Sequence, residues 1–140
     1  MTTHAMACLP YLPESVPAAR RLVREKLTEW RMHQLLDDAE LIMTELASNA
    51  VRTGCLTRMR VRVQWITRTC VRISVRDGSR TMPVLLRATE SAECHRGVAL
   101  VHTLTKGQWG VTLDPYGKTV HADLRLDNTP PMPGDNPAHP

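Results

Sequence analysis

Asp37-Asp38-Ala39-Glu40-Leu41-Ile42-Met43-Thr44-Glu45-Leu46-Ala47-Ser48-Asn49-Ala50-Val51-Arg52 is the stretch whose reading decides the fold. Leu35, Ala39, Ile42, Leu46 and Ala50 recur at helical spacing, which predicts an amphipathic helix from about Leu35 to Thr53. Gly54 stops it, and Asp37, Asp38 and Glu40 suit the positive end of its dipole. Within it Glu45 and Asn49 stand four residues apart and share one face. A carboxylate and an amide placed so can offer oxygens to Mg²⁺, or hold and deprotonate a hydroxyl nucleophile. Taken alone, the pair is more simply the polar stripe of a surface helix.

Upstream, Val16, Ala19, Leu22, Val23, Leu27 and Trp30 predict another helix, with Ser15 as its N-cap and Pro17 in its first turn. Downstream the period changes from helical to alternating. Val61, Val63 and Trp65 alternate with Arg60, Arg62 and Gln64, and Val71, Ile73 and Val75 alternate with Arg72, Ser74 and Arg76. These are two strands of a hairpin with one buried face and a solvated arginine face. An irregular segment is expected to about Arg96, then a helix from Gly97 to about Lys106 on Val98, Leu100, Val101 and Leu104. Trp109 to Leu113 and Thr119 to Leu126 read as a closing hairpin. The pattern implies an α+β fold: a two-layer sandwich with three helices over a mainly antiparallel sheet.

The chain has 140 residues, enough for one core. It has no Phe, so aliphatic side chains must fill that core. Residues 1–13 are expected to be a flexible segment, 14–126 the folded domain, and 127–140 a disordered proline-rich tail. The start lacks a basic region followed by an apolar run, and no apolar stretch approaches the roughly 20 residues needed to span a bilayer, so a cytoplasmic protein is expected. The four cysteines include no CxxC pair, which argues against a zinc ribbon or a thioredoxin motif. A net charge of +4 is modest and scattered, and no direct nucleic-acid partner is expected from it.

Two further positions can carry chemistry. Asp77 follows an alternating strand and precedes Gly78; its carboxylate could accept a hydrogen bond from an exocyclic amine, while an ordinary Asp-Gly turn is the simpler reading. Arg96-Gly97 is expected to open a helix, where free backbone N–H groups and a guanidinium attract phosphate. Cys94-His95 lacks further ligands at metal spacing.

The order of these features carries more than any one of them. Glu45 and Asn49 on a helix, a hairpin ending in Asp77-Gly78, a loop, Arg96-Gly97, then Gly117-Lys118-Thr119 before the last strand resemble the Bergerat ATP-binding fold of gyrase and histidine-kinase catalytic domains. The likeness is nearest to the stand-alone domains of bacterial anti-sigma-factor serine/threonine kinases, and covers about Leu12 to Leu126. It also takes in Ala18-Ala19-Arg20-Arg21-Leu22-Val23-Arg24, Val75-Arg76-Asp77-Gly78-Ser79 and Arg96-Gly97-Val98-Ala99-Leu100-Val101.

The resemblance implies ATP and Mg²⁺ as cofactors. It makes Asn49 the Mg²⁺ ligand and Glu45 the base for a substrate serine. It gives Asp77, with Gly78 in the turn, to the adenine amine, Arg96 and Gly97 to the phosphate-side lid, and Thr119 to the back of the adenine pocket. It implies a sigma factor and an anti-anti-sigma-type protein as partners, and homodimers. A sensor histidine kinase is not expected, because residues 1–35 leave no room for a helical phosphoacceptor segment. The chain departs from the family pattern at Thr53 in place of a His, at Ser79 in place of a Gly, and at His95 in a lid that is otherwise glycine-rich. Two functions follow: a kinase transferring the ATP γ-phosphate to a serine, or a degenerate nucleotide-sensing or docking module without turnover.

Overall fold

In the computed structural model the structure describes residues 3–53, 58–78 and 92–126, with only the backbone described for 92–98. Strand β1 (His4–Leu9) leads into α1 (Ser15–Glu29), a 3₁₀ turn (His33–Leu35) and α2 (Leu36–Thr53). Then come β2 (Met59–Thr67), β3 (Cys70–Asp77), α3 (Ala92–Thr105), β4 (Trp109–Asp114) and β5 (Gly117–Arg125). The strands form one sheet in the order β1-β2-β3-β5-β4, and every described pairing is antiparallel. Three helices over this sheet make the expected two-layer α+β sandwich.

Strand alternation assigns the two faces. Val61, Val63, Val71, Ile73, Val75, Val120, Ala122 and Leu124 are buried against Val23, Leu27, Ile42, Met43 and Leu46 of α1 and α2. The registers Val61↔Val75, Val63↔Ile73, Ile73↔Ala122 and Val75↔Val120 put these side chains in rows across the sheet. A one-residue slip would turn each row to solvent, so burial itself holds the register. Where α1 ends, Trp30 stacks on Trp65 of β2 with ring centroids 5.7 Å apart, in a core that has no Phe.

Three expectations change. His4–Leu9, expected to be loose, is the edge strand of the sheet, pairing from His4↔Gln64 to Leu9↔Met59. Its inward residues Ala5, Ala7 and Leu9 are too small a signal to read alone, and β2 supplies the template. Ser15 is not the N-cap of α1: its hydroxyl donates to the Pro10 carbonyl at 2.7 Å, and Glu14 takes the cap position. Helix α3 starts at Ala92 rather than Gly97, so Gly97 lies inside it. An interior glycine weakens a helix by roughly 1 kcal/mol but does not end it. The tail at 127–140 lies outside the described residues.

The outer face of the sheet carries the arginines. Arg72 pairs with Asp123 at 2.8 Å and Arg76 with Asp114 at 3.0 Å, while Arg60 is exposed. His121 lies on this face against Gly110, where an added Cβ would stand 3.0 Å from its ring. Burial lowers the His121 pKa below its ordinary value of 6.5, Arg72 lowers it further, and Asp123 opposes them. The folded state therefore resists protonation at His121. Its contribution to stability is complete above about pH 6.5 and drains away as pH falls from there through the folded pKa. Denaturant titrations at pH 5.5 and 7.5 should show a smaller loss of stability on acidification for His121→Gln than for the wild type. Identical losses would contradict this assignment.

Candidate functional site

Helix α2 has two polar flanks beside its buried stripe. One is tied to α1: Arg24 forks onto Glu40 with two bonds of 3.0 Å, and Arg20 donates to Thr44 at 3.3 Å. The other carries Glu45, Asn49 and Thr53, each four residues and about 6 Å from the next. Glu45 and Asn49 are half-buried, and among the described residues neither side chain has a hydrogen bond or ion pair. Thr53 donates its hydroxyl to the Asn49 carbonyl at 2.9 Å.

That flank runs toward the end of the sheet where β3 finishes and β5 begins. Asp77, the last residue of β3, points inward and lies directly opposite Lys118. Lys118 Nζ donates to both Asp77 carboxylate oxygens, at 3.1 and 3.0 Å, and lies 3.5 Å from Thr53 Oγ1. Asp77 is 1% exposed and Lys118 0%. Breaking such a pair by removing one partner costs about 3–5 kcal/mol, because the other charge is left buried alone. Two backbone features set the geometry. Gly78 N–H donates to the Tyr11 hydroxyl at 2.9 Å. A Cβ on Gly117 would collide with the Asp77 carbonyl oxygen, so only glycine lets β5 start this close to the end of β3.

The structure thus brings Asp77, Gly78, Lys118 and Thr53 together, with Asn49 and then Glu45 further along one helix flank. It does not bring Thr119 with them. Thr119 pairs with Arg76 and Thr112 on the outer face of the sheet, and Lys118 takes the inward position beside it. Arg96 and Gly97 fall on the second turn of α3, and their side chains lie outside the described residues. The free N–H groups of that helix are those of its first four residues, so the expectation that Arg96-Gly97 opens the helix is corrected.

Sequence reasoning quoted Lys118 only as part of a Gly-Lys-Thr string. The signal that could have found it was parity: Val120, Ala122 and Leu124 are the apolar positions of β5, and Lys118 is in phase with them.

For a metal, the fitting donors are the Asn49 amide and Glu45 carboxylate oxygens, hard ligands suited to Mg²⁺. Among the described residues no group of three or more His, Cys, Asp or Glu could hold a metal ion by itself. That matches the way Mg²⁺ is held by one or two protein oxygens together with phosphates. Burial pushes the Cys70 thiol up to about 11, with Asp123 adding to it, so this cysteine is a core side chain and not a nucleophile. No helix among the described residues is long and apolar enough to cross a membrane.

Residues 9–122 match the histidine kinase-like ATPase domain family. The chain belongs to that family. The match runs from the end of β1 into β5 and contains Tyr11, Glu45, Asn49, Thr53, Asp77 and Lys118. Among solved structures, this histidine kinase-like ATPase domain is similar to the crystal structure of the RsbU and RsbW domains of Rv1364c from Mycobacterium tuberculosis, with a TM-score of 0.63 and 21% identity. The alignment covers 89% of this chain and 32% of that one, so the chain spans about a third of that structure's length. At this identity the likeness is one of fold. No curated sequence matches the chain.

The buried pair gives this ATPase domain a stability signature. Lys118→Met alone should lower the unfolding free energy by about 3–5 kcal/mol, and adding Asp77→Leu should restore much of the loss. A double-mutant cycle by urea titration measures it; strictly additive losses would contradict the pairing.

Proposed function

We propose that this protein is an ATP-binding regulator that transfers the ATP γ-phosphate to a serine of an anti-anti-sigma-type partner and thereby controls a sigma factor. The supporting observation is the common placement of Asp77 and the Glu45–Asn49–Thr53 flank. A base-accepting carboxylate and a phosphate-side amide meet at one end of the sheet through Thr53 and Lys118. Membership in an ATPase domain family supports the nucleotide, and the fold shared with a structure containing an RsbW domain supports the regulatory setting.

In this reading Asp77 accepts a hydrogen bond from the adenine amine, with Gly78 leaving the backbone room to turn. Asn49 would hold Mg²⁺ against the phosphates, which supplies charge neutralisation when bound. Glu45, one turn nearer the start of α2, accepts the proton of the substrate hydroxyl. Positioning and charge neutralisation carry most of the catalysis in phosphoryl transfer, so the chain needs few reacting groups. Arg96 adds positive charge on the phosphate side. The placement of Arg96 and Gly97 inside α3 favours a second reading, a nucleotide-sensing module without turnover.

Calorimetry with Mg-ATP should show affinity falling about tenfold or more in Asn49→Ala and in Asp77→Asn, each losing a charge-assisted contact. Glu45→Gln should keep ATP affinity within about threefold and abolish phosphoserine on the partner. Equal affinities for wild type, Asn49→Ala and Asp77→Asn would remove the site. Phosphoserine formation unaffected by Glu45→Gln would remove the proposed base, and binding without transfer by the wild type would leave the sensing module.

A further inference from the structure

Lys118 is absent from the set of nucleotide contacts that the sequence pointed to, yet it is the fully buried cation of the site. A lysine is almost never buried without a partner, and this one has two. Of the three N–H bonds on its ammonium, two point at the Asp77 oxygens at 3.0 and 3.1 Å. The third faces Thr53 Oγ1 at 3.5 Å, the longest of the set. A carboxylate offers about four lone-pair positions, and Lys118 uses two of them. Asp77 therefore keeps acceptor capacity, and Lys118 keeps one weakly used donor.

Side by side, the pair offers an acceptor and a donor at one spot. The Watson–Crick edge of adenine offers the complement: the N6 amine donates and N1 accepts. Hypoxanthine and guanine invert it, with a carbonyl at position 6 and a proton on N1. We propose that Lys118 is a specificity-determining residue of the base subsite, donating to adenine N1 while Asp77 accepts from N6. This rests on the ATP reading above and adds a direct contact from β5 to it. Binding exchanges the long Thr53 contact for a shorter one to the base and leaves the ion pair intact. The pair is closed to solvent in this structure, so the base displaces neighbouring side chains at that end of the sheet as it enters.

The test compares ATP with 1-deaza-ATP, which keeps the amine and replaces N1 with a C–H. Wild-type protein should bind ATP about tenfold more tightly than 1-deaza-ATP, the loss expected when a buried charged donor is left without an acceptor. In Lys118→Met, ATP affinity should fall about tenfold and 1-deaza-ATP affinity should stay, bringing the two together. A merely structural lysine would weaken both nucleotides alike, and that result overturns the proposal. So does tighter ATP binding by Lys118→Met, which would make the ammonium a plug in the pocket. The wild-type comparison needs no substitution and decides the matter even where Lys118→Met fails to fold. Equal wild-type affinities for the two nucleotides remove the Lys118 contact and leave ATP binding standing. No wild-type affinity for either removes the ATP reading and this contact with it.

Discussion

A carboxylate and an ammonium taken out of water together are stable only when each satisfies the other and the surrounding backbone holds them in place. Asp77 and Lys118 meet that condition because they face each other across the β3–β5 ladder, the last residue of one strand against the second of the other. The requirement reaches outward. Gly117 must be glycine for β5 to start against the Asp77 carbonyl. Tyr11 must reach Gly78 from the segment between β1 and α1, and Thr53 must end α2 within reach of Nζ. Four separate parts of the chain thus converge on one ion pair, and the candidate nucleotide site is built around it.

The rest of the core is less demanding. Aliphatic rows from β2, β3 and β5 meet the stripes of α1 and α2, and volume and pattern are enough to specify them. The polar flank of α2 that carries Glu45 and Asn49 is positioned as a consequence. With Glu40 and Thr44 tied to α1 and Ile42 and Leu46 buried, helical geometry leaves the opposite flank for Glu45, Asn49 and Thr53. Half-buried polar groups without a protein partner beside a buried ion pair are what a ligand site asks of a scaffold, since the ligand completes their hydrogen bonds.

Much of the fold was legible because its signals are local. The period of Leu35 to Ala50 is a property of sixteen adjacent residues, and the alternation in β2 and β3 needs only a few more. The likeness to ATP-binding domains was legible for a different reason: it rests on the order of short motifs, which survives without any contact being known. Less legible were the pieces whose state depends on a distant partner. His4–Leu9 has a faint alternation and becomes a strand because β2 offers a free edge. The start of α3 was misplaced because Gly97 reads as a boundary, although one interior glycine is affordable when the flanking turns are good helix formers.

The sequence by itself determined the class of fold, the helix that carries Glu45 and Asn49, and the strand end that carries Asp77. Each of these follows from periodicity over neighbouring residues. Only the tertiary structure decided that Lys118, and not Thr119, faces the site, and that it spends its charge on Asp77. Side-chain direction along β5 alternates residue by residue, so the register against β3 settles which of two adjacent polar residues is inside. A buried lysine contradicts every local expectation for its type and is explained only by the carboxylate that another strand places opposite it.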